Sequence, residues 1–180
     1  KPILDDDEAI AAGLDPIEDG ALRVTGKTRE ALAKAPALKS VWTKFTKFVD
    51  QYNWKGEPFW NPIPVGYNII GFDLPIIKRL CEQFGPWDKA RSEQKVFSKV
   101  HKIDLMDNIF MWTEGDPSVK SISLDSLRER MGLSGENAHD ALQDVKDTAN
   151  IFIKMLKTHR AVYQNIEFEK AFANGNLYVK

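Results

Sequence analysis

Only two stretches of this chain read as β-strands, and that shortage limits what it can fold into. "VGYNII" at 65–70 has the continuous apolar character of a buried strand, and "KVFSKVHKI" at 95–103 alternates. Two strands cannot form an independent sheet core in a chain of 180 residues. Helical patterns surround them. Leu38, Val41, Trp42, Phe45, Phe48, Val49 and Tyr52 fall on one helix face. Ile77, Leu80, Cys81 and Phe84 repeat at i, i+3, i+4, i+7, and Gly85 and Pro86 end that segment. Strands alternating with a majority of helices imply an α/β layered domain.

Local signals set the remaining boundaries. Residues 1–20 are acidic, broken by Gly13, Pro16 and Gly20, and are expected to be loop, with Asp5, Asp6, Asp7 and Glu8 as a solvated charge run. Thr28 is a good N-cap for a short helix that Pro36 stops. Residues 53–64 hold three prolines and two tryptophans, which predicts a loop pinned by its aromatics. Asp104 is placed to cap a helix with Leu105, Ile109 and Trp112 on one face. Ser123 or Leu124 begins another, with Leu124, Leu127 and Met131 inside. The last long helix is expected over 139–158, burying Ala141, Val145, Thr148, Phe152 and Met155. Residues 159–180 are read as a C-terminal extension carrying Tyr163, Phe168, Phe172 and Tyr178.

Composition excludes several classes. Cys81 is the only cysteine, so an internal disulfide and a cysteine-based zinc site are both out. No apolar run approaches the length of a membrane span, and no signal peptide is visible, so a cytoplasmic location and no membrane partner are expected. The net charge of −1 counts mildly against a nucleic-acid binder. A site built of carboxylates for divalent cations lowers the net charge, however, and the cations restore it locally.

Two stretches carry chemistry. In "GYNIIGFDLP", 66–75, Asn68, Phe72 and Asp73 put an amide, an aromatic ring and a carboxylate at a strand's C-terminal end, where ligands of α/β sheets bind. As an ordinary structural residue, Asp73 would be a helix N-cap. In "ENAHDALQDVKDTANIF", 136–152, Asp140, Asp144 and Asp147 share a helix face opposite the expected buried stripe. His139 lies five residues before Asp144, about 140° around an ideal helix, so the two converge only if His139 stands at or before the helix start.

"HDALQD", His139 to Asp144, resembles the H-x-A-x-x-D element of the DEDDh 3′→5′ exonucleases, the DnaQ-like superfamily. "GYNIIGFD" is similar to its second element. "ALRVTGKTREAL" at 21–32, "ID" at 103–104 and "SLDSLRERMGL" at 123–133 resemble further family segments in the right order, over roughly residues 15–158. The resemblance implies a single exonuclease domain over 1–180 with an α/β, ribonuclease H-like three-layer fold, a central mixed sheet flanked by helices. It implies two divalent metal ions, Mg²⁺ or Mn²⁺, which activate a water and stabilise the leaving 3′ oxygen. Asp73 and Asp144 would be metal ligands, His139 the general base, and Asn68 and Phe72 would shape the site around the terminal nucleotide. The implied substrate is the 3′ end of single-stranded nucleic acid, DNA in preference to RNA, in proofreading or repair, with a polymerase or another replication or repair protein as a candidate partner.

One element departs from the pattern. The family's D-x-E, on its first strand, has no convincing copy. Asp6, Asp7 and Glu8 carry the letters, but two strands have no room between them and "RVTGKT". The expectation is that the first strands and the D-x-E pair lie upstream of Lys1 and that this chain alone has low activity. The alternative is a catalytically impaired nucleic-acid-binding or scaffold domain that lacks the D-x-E ligands.

Overall fold

A reciprocal cap starts the fold. Asp5 Oδ1 accepts a hydrogen bond from the Glu8 N–H at 2.8 Å, and Glu8 Oε2 accepts one from the Asp5 N–H at 3.0 Å. The acidic run therefore opens helix α1 (Asp6–Ala11), where loop was expected. The acids also suit the positive end of the helix dipole. α2 (Asp19–Thr25) ends on Gly26 in the left-handed region, and α3 (Arg29–Lys34) is capped by Thr28 as predicted. Arg29 gathers these pieces: its guanidinium donates to Asp6, to Asp19 and to the Ile17 carbonyl at 2.6–2.7 Å. The computed structural model describes residues 5–133 and 140–165. The chain divides into two compact units, Lys1–Ser118 and Val119–Lys180.

The core of the first unit lies between α4 (Leu38–Asp50) and α5 (Asp73–Phe84). Trp42, Val49, Cys81 and Val96 are buried there, and Phe45, Ile77, Leu80, Phe84, Trp87 and Phe97 pack around them. Each large apolar side chain removed from water contributes roughly 1.5–3 kcal/mol. The Trp42 indole N–H donates to the Gly85 carbonyl at 2.5 Å, so the buried ring is not left with an orphan donor. The predicted α4 stripe is only half buried. Val41, Phe48 and Tyr52 are exposed, since among the described residues α5 packs against only part of the wide apolar face.

The strands are much shorter than their sequence patterns suggest. β1 (Val65–Gly66), β2 (Trp87–Asp88), β3 (Glu93–Gln94) and β4 (Ile103–Asp104) each have two residues. β1 pairs with β4 in parallel, Val65 opposite Ile103 and Gly66 opposite Asp104. β2 and β3 form an antiparallel pair. Among the described residues these two-stranded sheets are the whole of the β-structure, so the expected central three-layer sheet is not present in them. Side chains have taken over the backbone groups that a longer ladder would have used. The Asp104 carboxylate accepts from the N–H groups of Asn68 and Ile70, and Gln94 Oε1 accepts from those of Val96 and Phe97.

β4 runs directly into α6 (Leu105–Thr113), capped by Asp104 as expected, with Leu105 and Ile109 buried and Trp112 exposed rather than inside. In the second unit α7 (Leu124–Arg130) starts at Ser123, whose Oγ accepts from the Ser126 N–H. α8 (Ala141–Asn165) continues well past Thr158 into the segment expected as an extension. Asp140 Oδ1 accepts from the N–H groups of Leu142 and Gln143 at its start. The buried face of α8 is shifted from the predicted one: Met155 is buried and Thr148 and Phe152 are half-buried as part of the expected stripe, but Asp147 and Ile151 are buried too, while Ala141 is exposed and Val145 is 64% exposed. No described helix is long and apolar enough to cross a membrane.

Candidate active site

The corner where β1 meets α5 is built by one acid. Asp104, at the end of the neighbouring strand, is buried. Its Oδ1 accepts from the Asn68 N–H at 2.9 Å and from the Met106 N–H at 3.1 Å, and its Oδ2 accepts from the Ile70 N–H at 3.1 Å. One carboxylate thus caps α6 and folds residues 67–72 into a tight turn. Asn68 takes a positive φ of 54°, which asparagine tolerates better than most side chains. The Phe72 N–H donates to the Asn68 carbonyl and the Leu74 N–H to the Ile69 carbonyl, which closes the turn onto α5. A Cβ at Gly71 would stand 2.7 Å from Asn68 Oδ1, so a larger residue there would make the Asn68 amide shift.

This turn brings Asn68, Phe72 and Asp73 to one exposed corner at the strand's C-terminal end, the location expected from sequence. Phe72 holds the N-cap position of α5 without a capping side chain, and Asp73 is its first residue rather than its cap. Asp73 is open to solvent, yet enough protein surrounds its carboxyl that desolvation raises its pKa above the usual carboxylate range. A backbone hydrogen bond opposes this and the nearby Asp104 charge adds a smaller push upward.

Asp144 stands in different surroundings. The Arg128 guanidinium, on α7, donates from Nε to Asp147 Oδ2 at 2.7 Å, from Nη1 to Asp125 Oδ1 at 2.6 Å and from Nη2 to Asp144 Oδ1 at 2.5 Å. The Arg128 and Asp147 side chains are both 4% exposed, and that of Asp144 is 37% exposed. Gln143 Nε2 donates to the other Asp147 oxygen at 2.8 Å. Burial alone would lower the Arg128 pKa, but the hydrogen bonds it donates to Asp147, Asp144 and Asp125 outweigh that and raise it. Asp144 and Asp147 therefore do not lie on a face opposite the buried stripe. A buried cation requires them on the packed side of α8.

The sequence reading missed Arg128, and its signal was present. Arg128 follows Leu124 by four residues and Leu127 by one, which puts a charge at the edge of α7's apolar face. A charge there needs buried partners of opposite sign. The role of Asp104 in shaping the Asn68 turn was also missed.

The other expected positions separate. His139 lies outside the described residues. Asp6 and Glu8, which carry the letters of D-x-E, stand on a helix and not a strand. Asp6 pairs with Arg29 and accepts from the Ile17 N–H, which lowers its pKa, and Glu8 belongs to the cap of α1. Among the described residues no group of three or more His, Cys, Asp or Glu side chains is arranged to hold a metal ion. One Asp144 oxygen is given to Arg128, and the expected ligands Asp73 and Asp144 fall in different units of the chain.

An exonuclease family model, that of RNase T, matches residues 12–152. The match covers most of the chain, and the chain belongs to that DEDDh, DnaQ-like exonuclease family. Membership implies a ribonuclease H-like fold and an interaction with nucleic acid, and it suggests a metal-dependent mechanism. No curated protein and no solved structure matches the chain.

Proposed function

We propose that this chain is an exonuclease-family domain that binds single-stranded nucleic acid and is impaired in hydrolysis. The Arg128–Asp144 pair carries this reading, because the guanidinium takes one oxygen of a carboxylate that a metal would need. Bound strand ends would meet the exposed corner of Asn68, Phe72 and Asp73. DNA is the expected strand, with RNA as the other option, and a replication or repair protein such as a polymerase would position it. Residues 1–180 would act together as one cytoplasmic domain.

The family match favours a second reading, a competent 3′→5′ exonuclease using Mg²⁺ or Mn²⁺ with Asp73, Asp144 and His139. One experiment separates the two. A 5′-labelled single-stranded DNA oligonucleotide is incubated with the wild type, Asp144→Ala and Arg128→Gln, in Mn²⁺ and in EDTA. Binding without shortening supports the impaired domain. Laddering from the 3′ end by the wild type, abolished by EDTA and by Asp144→Ala, establishes the enzyme instead. Absence of binding in every condition removes both.

A further inference from the structure

The loop between α4 and β1 exposes aromatic rings that the core does not use. Trp54 is 76% and Phe59 71% exposed. Trp60, in a 3₁₀ turn over Pro58–Trp60, braces both: its ring lies edge-on to Trp54 at 5.2 Å and to Phe59 at 5.3 Å between centroids. The Lys55 ammonium sits over the same rings, 4.4 Å from the Trp60 centroid and 5.1 Å from that of Trp54. A lysine held against indole faces is a cation kept beside an aromatic platform.

A cleft of about 390 Å³ is lined by part of the same loop, with Lys47, Asn53, Gly56, Pro58, Asn61 and Lys95 among its walls and Asp50 as its carboxylate. That volume is in the range of small-ligand pockets. Two amides run along it: Asn53 Nδ2 donates to Asn61 Oδ1 at 2.7 Å, and Asn61 Nδ2 donates to the Lys95 carbonyl at 2.9 Å. These bonds fix the Asn53 amide and leave its Oδ1 buried without a donor, the one such side-chain atom among the described residues.

We propose that the Trp54–Trp60 loop and the adjoining cleft bind single-stranded nucleic acid, with bases stacking on Trp54 and Phe59 and with Lys47, Lys55 and Lys95 facing phosphates. Each feature matches one part of a nucleotide: ring faces and negative charge. Lys55 stands against the exposed rings and Lys47 and Lys95 line the adjoining cleft, and a strand of nucleic acid supplies both flat bases and phosphates. The inference rests on the nucleic-acid binding proposed above and places a contact surface away from the Asn68–Asp73 turn in sequence.

Fluorescence anisotropy of a labelled single-stranded DNA of about a dozen nucleotides, in EDTA, tests it with the wild type, Trp54→Ala, Phe59→Ala and Lys55→Glu. All three replaced side chains are exposed, and circular dichroism checks that the variants fold. The wild type should bind with quenching of tryptophan fluorescence, and Trp54→Ala should weaken binding about ten-fold, the scale of one lost base–aromatic stack. An abasic strand of equal length should bind more weakly than the full one. Equal binding by the wild type and all three variants overturns this surface and leaves nucleic-acid binding elsewhere intact. No binding by the wild type overturns both together. Self-association in sedimentation velocity that Trp54→Ala abolishes, with strand binding unchanged, assigns the surface to a second copy and overturns it too.

Discussion

Arg128 Nε and Asp147 Oδ2 meet at 2.7 Å with both side chains almost entirely withdrawn from water. Neither can be removed alone without leaving a buried charge. Arg128→Met or Asp147→Leu should each cost about 3–5 kcal/mol. The double variant should recover most of that, since Asp125 and Asp144 keep contact with solvent. Urea unfolding of the four proteins checks it. Additive single losses, with no coupling energy, would sink the idea.

Asp104 serves three backbone donors with two oxygens. Asp104→Asn keeps one acceptor oxygen and replaces the other with an amide that cannot accept. With the amide in the Oδ2 position that orphans the Ile70 N–H, at roughly 1–3 kcal/mol, whereas the flipped amide would orphan those of Asn68 and Met106 together. Asp104→Ala should cost more. Amide exchange at Ile70, read by NMR, should accelerate in both variants, and unchanged protection there would count against the role given to Asp104.

Gly66 packs against Ile69. An added Cβ would stand 2.8 Å from both Cβ and Cδ1 of that buried residue. Gly66→Ala should therefore destabilise the protein by about 1–3 kcal/mol through overpacking. Gly115→Ala, where a Cβ meets nothing, is the control. Equal melting temperatures for the two variants would refute the expectation.

Burial pushes the Cys81 thiol from its ordinary value near 9 up to about 11, against a smaller opposing backbone hydrogen bond involving Lys95. The unfolded chain ionises first as pH rises, so it binds fewer protons than the folded chain between pH 9 and 11. Stability contributed by the neutral thiol is present below that window and falls across it, by up to about 1.4 kcal/mol per pH unit. Cys81→Ala should flatten the urea midpoint against pH over this range. A slope identical to that of the wild type would show that other groups set it.

Helix starts were legible in the sequence because capping is local. Thr28, Asp104 and Ser123 announce their helices within three residues. The place of the Asn68, Phe72 and Asp73 corner was legible, since six residues span it, but the Asp104 carboxylate that shapes it was not. What the sequence could not show depended on distant partners. The apolar period of α4 gives a face but not the width of what covers it, so Phe48 and Tyr52 were expected inside. The pattern at 65–70 looks like a strand because nothing near it discloses that Asp104, 34 to 36 residues on, will capture its N–H groups. Gln94, by contrast, adjoins the 95–103 pattern, and its capture of the Val96 and Phe97 N–H groups is a local effect that periodicity does not reveal. Arg128 and Asp147 are 19 residues apart, and only their burial explains why α8 turns its acids inward.

The bond from Asn68 to Asp104 joins positions 36 residues apart. Helices such as α4 and α5 can form from their own sequences within microseconds, but the turn between β1 and α5 takes its shape only when that long loop closes. On that ground the corner carrying Asn68, Phe72 and Asp73 is expected to order after these helices, and to open before them in native-state fluctuations, which native-state amide exchange would read. A strand end that arrives at this corner would meet a surface whose order depends on a contact made far along the chain, and binding there should slow the opening of the whole loop.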